Sequence, residues 1–477
     1  MKSGRWATFA AWGLITLGLA LRLRQYLANR SLWIDEAMLA LNILNRNVAG
    51  LLGKLDYEQG APLGFLLLEK LAATLFGGGE RALRLLPLLA GCAALILFHF
   101  LARELLEEPG ALSALALFAV SPALIYYSSE VKQYSSDVLI ALVLLYLAWR
   151  PPRSALLAQN LLLLVTGMLA VWFSHPAVFV LAAIGLMRLV ETRHNPWPTL
   201  AVGAGWLVSF GVLYLVSLRA LAQDAYLLNY WGDYFASGPL AALLGLFEFP
   251  AGLGAWPAAL LAGICLAGLG VLFTRRPQSA GGLVLIFLIT LLASSLQKYP
   301  FAGRMMLFSV PLIYLLCGAA LEGLFRLGLR PALAAFLAVS LAGGLLGAPA
   351  LTSARAFLAP KYPEHIRPAL AYWQANRLPG DVLYVYNWAL PAFRYYSDGQ
   401  AGYIAGGLHP GDPQALLAEL DPLKGRGRVW VLFAHVYETA EYNEKDLMLA
   451  YLKQLGEKKR QFIEPGSSVY LYLFDMK

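Results

Sequence analysis

Ser31-Leu32-Trp33-Ile34-Asp35-Glu36 sets two adjacent carboxylates directly after the first apolar stretch of the chain, residues 7–25. A chain that is 59% hydrophobic and only 14% charged has few carboxylates to place, so an acidic pair beside an apolar span needs a reason. Two readings stay open from these residues alone. Carboxylates favour helix N-termini, so Asp35 and Glu36 suit the start of an interfacial helix near residue 34. They also suit a chemical site, and capping does not exclude catalysis.

Working outward, the mean hydropathy of +0.60 and the repeated apolar runs exclude an ordinary soluble globule. A helix needs about 20 apolar residues to cross the hydrocarbon core of a bilayer. Eleven windows are read as spans, near 7–25, 82–102, 110–127, 133–149, 155–173, 175–190, 198–218, 252–273, 280–297, 304–325 and 331–349. No small-residue cleavage site precedes Trp33, so the first is read as uncleaved. Pro62–Phe76 is apolar but short and contains Glu69 and Lys70, which fits a helix lying at the interface. The expected fold is a polytopic α-helical membrane protein with about eleven transmembrane helices plus interfacial helices, and a small C-terminal α/β domain. The expected boundary divides a membrane domain, 1–350 with a first loop at 26–80, from a soluble domain, 351–477.

The formal charge of +8 sits almost wholly in the membrane half. Residues 351–477 carry 14 basic and 13 acidic side chains, leaving 23 basic and 16 acidic for the first 350. No basic stripe with interleaved aromatics marks a soluble module, which argues against a nucleic-acid partner, whereas a lipid bilayer with anionic headgroups suits this distribution. The positive-inside bias puts Arg103, Arg150 with Arg153, Arg188 with Arg193, Arg275 with Arg276, and Arg326 with Arg330 on the cytoplasmic side. The opposite side then receives loop 26–80, the 127–133 turn, loop 217–250, the 298–303 turn and the C-terminal domain. Cys92, Cys265 and Cys317 all lie in apolar spans and read as small core residues rather than a disulfide or zinc framework.

Acid, base and aromatic residues from three separate stretches are thereby expected at one membrane surface. The first loop supplies Asp35, Glu36, Asp56 and Glu58. The third span ends in Tyr126-Tyr127-Ser128-Ser129-Glu130-Val131-Lys132-Gln133-Tyr134, and a later turn reads Lys298-Tyr299-Pro300-Phe301-Ala302-Gly303-Arg304. This set supports glycosyl transfer from a lipid-phosphate donor. A carboxylate takes the acceptor proton, Lys298 and Arg304 bind the donor phosphate, and Tyr127, Tyr134, Tyr299 and Glu130 suit a sugar. One base and a phosphate leaving group fit one-step displacement with inversion. Plainer readings stand beside these: Lys132 as a snorkelling cation, Arg304 as a membrane anchor, His175-Pro176 as a structural turn. Asp137, one turn inside a span, is suspected of function without an assigned role.

Four patterns, taken together and in this order, resemble the bacterial GT-C glycosyltransferases of the dolichyl-phosphate-mannose-protein mannosyltransferase type, which include the lipid A aminoarabinose transferases. They are Leu32-Trp33-Ile34-Asp35-Glu36-Ala37; Gly60-Ala61-Pro62-Leu63-Gly64-Phe65 running on to Glu80-Arg81-Ala82-Leu83-Arg84; Ser121-Pro122 through Tyr134; and Arg304 to Pro311. The resemblance covers about residues 20–325. It implies Asp35 as catalytic carboxylate, Glu58 as a second site acid and Lys132 in a basic position toward the donor phosphate. This chain has Gln59-Gly60-Ala61 where the family often has a cation or His-Pro, and Tyr-Ser-Ser-Glu-Val-Lys where Ser-Gln-Glu-Ala-Arg is commoner. Lys is a point charge and gives no bidentate grip. The resemblance further implies a polyprenyl-phosphate-linked sugar donor, a lipid, glycan or protein acceptor, a bacterial cytoplasmic membrane and an extracytoplasmic active site. Asp35 and Glu36 leave a divalent cation possible as cofactor; with no Asp-X-Asp spacing, an obligatory metal is not expected.

In the C-terminal part, helical patterns fall at 363–377, 413–420 and 444–457, with strand-like runs at Asp381–Tyr386, Val429–Ala434 and Ser468–Phe474. Gly425-Arg426-Gly427-Arg428 is expected as a hairpin or loop rather than a phosphate fingerprint. The alternative function is a transporter or flippase of lipid-linked sugars, which predicts inverted repeats and charge near the midplane. Neither is evident.

Overall fold

The structure is a computed structural model that describes residues 4–150, 156–235, 238, 245–247, 251–254, 256–397 and 402–477. Arg153 and much of the second half of loop 217–250 lie outside the described residues. The chain divides into two compact units, one of Met1–Ala28 with Arg46–Ala359, the other of Asn29–Asn45 with Pro360–Lys477.

Each expected span coincides with helical structure in the first unit. Among the described residues eight segments are long and apolar enough to cross a membrane: Arg5–Leu27, Glu80–Leu105, Leu156–Phe173, Trp197–Leu218, Ala258–Arg275, Pro277–Ser295, Gly303–Leu324 and Pro331–Leu358. The window at 110–127 is two helices, Glu108–Val120 and Pro122–Tyr127. Pro122 cannot continue the first because it lacks an N–H, and the Ser121 hydroxyl accepts from Leu124 N to start the second. Tyr134–Trp149 and Ala177–Glu191 complete the set, and Leu63–Phe76 forms the short helix expected after Pro62.

The Val310–Leu324 helix is buried along its whole length. Helices in lipid gain little from burying apolar surface against one another and pack instead through small residues that let backbones approach. A Cβ on Gly110 would sit 2.7 Å from the Gly318 carbonyl oxygen, and one on Gly268 only 1.9 Å from that of Leu316. Glycine is required at both. At one end of this helix Glu322, 1% exposed, accepts from Arg275 and from Glu107 N at 2.7 Å and lies 3.4 Å from Arg326 Nη2. Glu107 returns to Arg326 at 2.7 Å and Arg275 at 3.2 Å. Three expected cytoplasmic connections therefore meet at one end of the unit.

The second unit carries a five-stranded sheet, β1 Val382–Val385, β2 Tyr403–Ala405, β3 Gly427–Phe433, β4 Gly456–Ile463 and β5 Tyr470–Met476, in the order β2-β1-β3-β5-β4. β1 pairs parallel with β2 and β3, while β5 pairs antiparallel with β3 and β4. Val429–Phe433 are all buried, as expected of a central strand. One expectation needs correction. The helix over 444–457 stops at Leu455, because Gly456 opens β4. Of the two readings of Gly425-Arg426-Gly427-Arg428, the loop holds: Gly425 and Gly427, both with positive φ, turn the chain directly into β3.

Candidate active site

In the second unit the acidic motif is fastened to the C-terminal part of the chain by its own backbone. Ser31 Oγ lies 2.8 Å from His365 Nδ1 and accepts from Arg367 Nε at 3.3 Å. Arg367 Nη2 also donates to the Asn29 carbonyl. Leu32 N donates to the Tyr396 hydroxyl at 2.8 Å, and Ile34 N to Glu364 Oε2 at 2.9 Å. The helix that follows, Ile34–Asn45, has both acids in its first turn. Its N-terminal amides and dipole favour negative charge there, so the helix start and the acidic pair are one local design.

The two acids then diverge. Glu36 is fully buried, with its Oε2 3.9 Å from Nη2 of buried Arg30. Asp35 is half-buried and reaches the surface of the unit. The other oxygen of Glu364, Oε1, lies 2.7 Å from His435 Nδ1. His435 follows β3 by two residues and has φ +49°, a left-handed backbone rare outside glycine. Its ring lies 6.4 Å from Trp33 and 6.2 Å from Trp388. Burial alone lowers an imidazole's pKa, but the bond and charge of Glu364, with the charge of Asp35, raise that of His435 above its ordinary value.

The first unit holds the remaining expected residues. Lys132, 5% exposed, donates to Gln59 Oε1 at 2.6 Å, so these two expected site positions meet directly. The Arg304 guanidinium lies 5.7 Å from the Tyr134 ring, and Tyr134 packs edge-on to Tyr127 at 5.1 Å. Buried Glu130 and Arg304 are both within electrostatic reach of Tyr127. Tyr127, Glu130, Tyr134 and Arg304 are thus brought together. Glu58 is tied elsewhere: Lys54 bridges it and Asp224, each at 2.7 Å, on a turn where Tyr57 and Glu58 both have positive φ. Asp56 pairs with Arg46 at 2.7 Å. Tyr299 packs on Phe179 at 5.0 Å and donates to the Met305 carbonyl, a structural arrangement. Lys298 is exposed, and its side chain makes no hydrogen bond or ion pair among the described residues. Nor do any three His, Cys, Asp or Glu side chains converge as a metal site among the described residues; the charge beside Glu36 is that of Arg30.

No protein-family model matches this sequence, and no curated protein matches it. Solved structures do. ArnT from Cupriavidus metallidurans bound to undecaprenyl phosphate aligns over 97% of this chain and 98% of its own, with TM-score 0.58 and 15% identity. The apo oligosaccharyltransferase of Archaeoglobus fulgidus aligns over 98% of this chain and 74% of its own, with TM-score 0.57 and 12% identity. Its complex with an inhibitory peptide and a dolichol-phosphate aligns over the same shares at TM-score 0.53 and 12% identity.

This is the GT-C fold.

Within the GT-C fold of this chain, sequence reasoning missed Glu364, His365, Tyr396 and His435. They stand over 300 residues from the motif they hold. One signal was available for His435: it sits just beyond the C-terminal end of a buried parallel strand, where α/β sheets place their chemistry. Glu364 and His365 stand in an irregular connection after Pro363 and carry no motif of their own.

Proposed function

We propose that this protein is an integral membrane glycosyltransferase that moves a sugar from a polyprenyl-phosphate donor to an extracytoplasmic lipid, glycan or protein acceptor. The observation that carries the reading is the division of the acidic pair, Glu36 buried beside Arg30 and Asp35 left half-exposed at a helix start, in a chain with the GT-C fold. ArnT, which shares that fold, has undecaprenyl phosphate bound. An apolar cavity of about 420 Å³, lined among others by Phe65, Leu89, Ile140, Leu169 and Phe173, suits an isoprenoid chain.

In this reading Asp35 accepts the proton of an acceptor hydroxyl or amine as that atom bonds to the anomeric carbon. The bond from the anomeric carbon to the phosphate oxygen breaks, and its electron pair leaves with polyprenyl phosphate. Displacement in one step inverts the anomeric centre. Lys132 and Arg304 are assigned to the phosphate, whose developing charge they stabilise. The positive-inside reading puts the site on the outer face of a cytoplasmic membrane. The test is in vitro transfer with a panel of polyprenyl-phosphate sugars, comparing wild type with Asp35→Asn. Transfer retained by the variant would sink the base assignment.

A further inference from the structure

At the start of the Ile34–Asn45 helix a carboxylate 330 positions away accepts from the first amide, Ile34 N. Glu364 is 9% exposed, and both its oxygens are committed, one to Ile34 N and one to His435 Nδ1. One buried carboxylate therefore fixes the turn that carries Asp35 and the orientation of an imidazole beside it. With Nδ1–H donated to Glu364, the neutral ring presents Nε2 as its acceptor, and among the described residues Nε2 makes no hydrogen bond. The left-handed backbone at His435, φ +49°, is a kind of strain that persists where the surroundings hold it and clusters at functional sites. Trp33 and Trp388 flank the ring.

We propose that His435, oriented by Glu364, is a positioning residue for Asp35: its imidazolium keeps that carboxylate ionised and ready to accept a proton. The inference rests on the reading of Asp35 as base. The charged and titratable groups on the elements around it are Asp35 and Glu36 with Arg30 from the motif, Glu364 and His365 from the connection before residue 366, Arg367 turned to Ser31 and Asn29, and Tyr396 bonded to Leu32 N. Glu36 is neutralised by Arg30, and His365 is turned to Ser31. Asp35 and Glu364 are the two carboxylates that act on His435, and the interaction with Asp35 is reciprocal: what favours the imidazolium favours the carboxylate. A cation held beside a base lowers the pH at which the base becomes competent without touching substrate.

Two measurements on the full-length protein test this. The first is an NMR titration of isotope-labelled histidines, with the His435 signal assigned by its loss in His435→Gln. Asp35→Asn is expected to lower the His435 pKa, and Glu364→Gln to lower it further; an unchanged titration in Asp35→Asn overturns the proposal. The second is the pH profile of transfer. His435→Gln is expected to match wild type at pH 8 and to be about three- to tenfold slower at pH 5, a split that a packing defect would not produce. If Asp35→Asn abolishes transfer while the His435→Gln profile coincides with wild type, the positioning role fails and the base reading survives. If Asp35→Asn stays active, the base reading fails whatever His435 does.

Discussion

Glu364 Oε1 lies 2.7 Å from His435 Nδ1, an ion pair in which the carboxylate is nearly buried and the imidazole 42% exposed. It joins the end of β3 to the connection that caps the acidic helix.

The pair makes the stability of the second unit pH-dependent with a definite sign. The folded pKa of His435 is raised, so its contribution is complete below the unfolded value of about 6.5 and is lost as pH rises through the folded value. Glu364→Gln removes that contribution. The difference in Tm between wild type and Glu364→Gln is expected to be largest near pH 5.5 and smaller at pH 9. A difference that grows with pH would contradict the assignment. The exposure of the ring keeps the effect modest.

The two candidate phosphate lysines differ in placement. Lys132 is buried on Gln59, whereas Lys298 is exposed, with no side-chain hydrogen bond or ion pair among the described residues. A preorganised, partly desolvated cation binds an anion more strongly than a solvated one. Lys132→Met is expected to weaken undecaprenyl phosphate binding about tenfold or more, and Lys298→Met less than about twofold. Equal losses from both variants, measured by titration in detergent, would undo the distinction.

Backbone approach, rather than helix propensity, sets what glycine does in the Ala258–Arg275 helix. A Cβ at Gly268 would enter the Leu316 carbonyl at 1.9 Å, while one at Gly263 meets nothing within 4 Å. Gly268→Ala is expected to lower the yield of folded protein sharply. Gly263→Ala is expected to stay within about 1 kcal/mol of wild type or to gain slightly. Fluorescence size-exclusion after heating separates the two.

Glu322 holds Arg275 and Arg326 from a position 1% exposed. Glu322→Ala strands Glu107 N and two arginines whose side chains are 27% and 41% exposed, so the cost is that of lost charged hydrogen bonds, about 1.5–3 kcal/mol. Glu322→Ala is expected to lower Tm by several degrees in detergent, and Arg326→Ala, 41% exposed on its side chain, by much less. Similar losses from both would mean that the buried carboxylate is not the hub.

Much of the membrane unit is legible in the sequence because its signal is local. Apolar runs, with the basic loops to set Pro62–Phe76 apart, mark eleven stretches that carry helical structure, and proline at 122 and 311 and glycine at 110, 268 and 318 sit in the same stretches. The acidic pair is equally local, since a helix start needs only its own first turn. The strands read from the sequence, β1, β3 and β5, are buried and apolar. The strands missed are β2, only three residues long, and β4, whose Lys458-Lys459-Arg460 is solvent-facing and polar as an edge strand tends to be. Nothing in β4 itself shows that it is a strand; pairing with β5 makes it one.

What the sequence determined by itself was therefore the membrane class of the chain, the order of its apolar helices and the place of Asp35 and Glu36 at the head of one of them. Only the tertiary structure decided that these two acids have different surroundings, Glu36 sealed against Arg30 and Asp35 left half-exposed, and that Glu364 and His435 stand beside them. The physical reason is sequence separation. Burial and hydrogen bonding between residues 34, 364 and 435 depend on how distant segments pack, and no periodicity within any one segment records it.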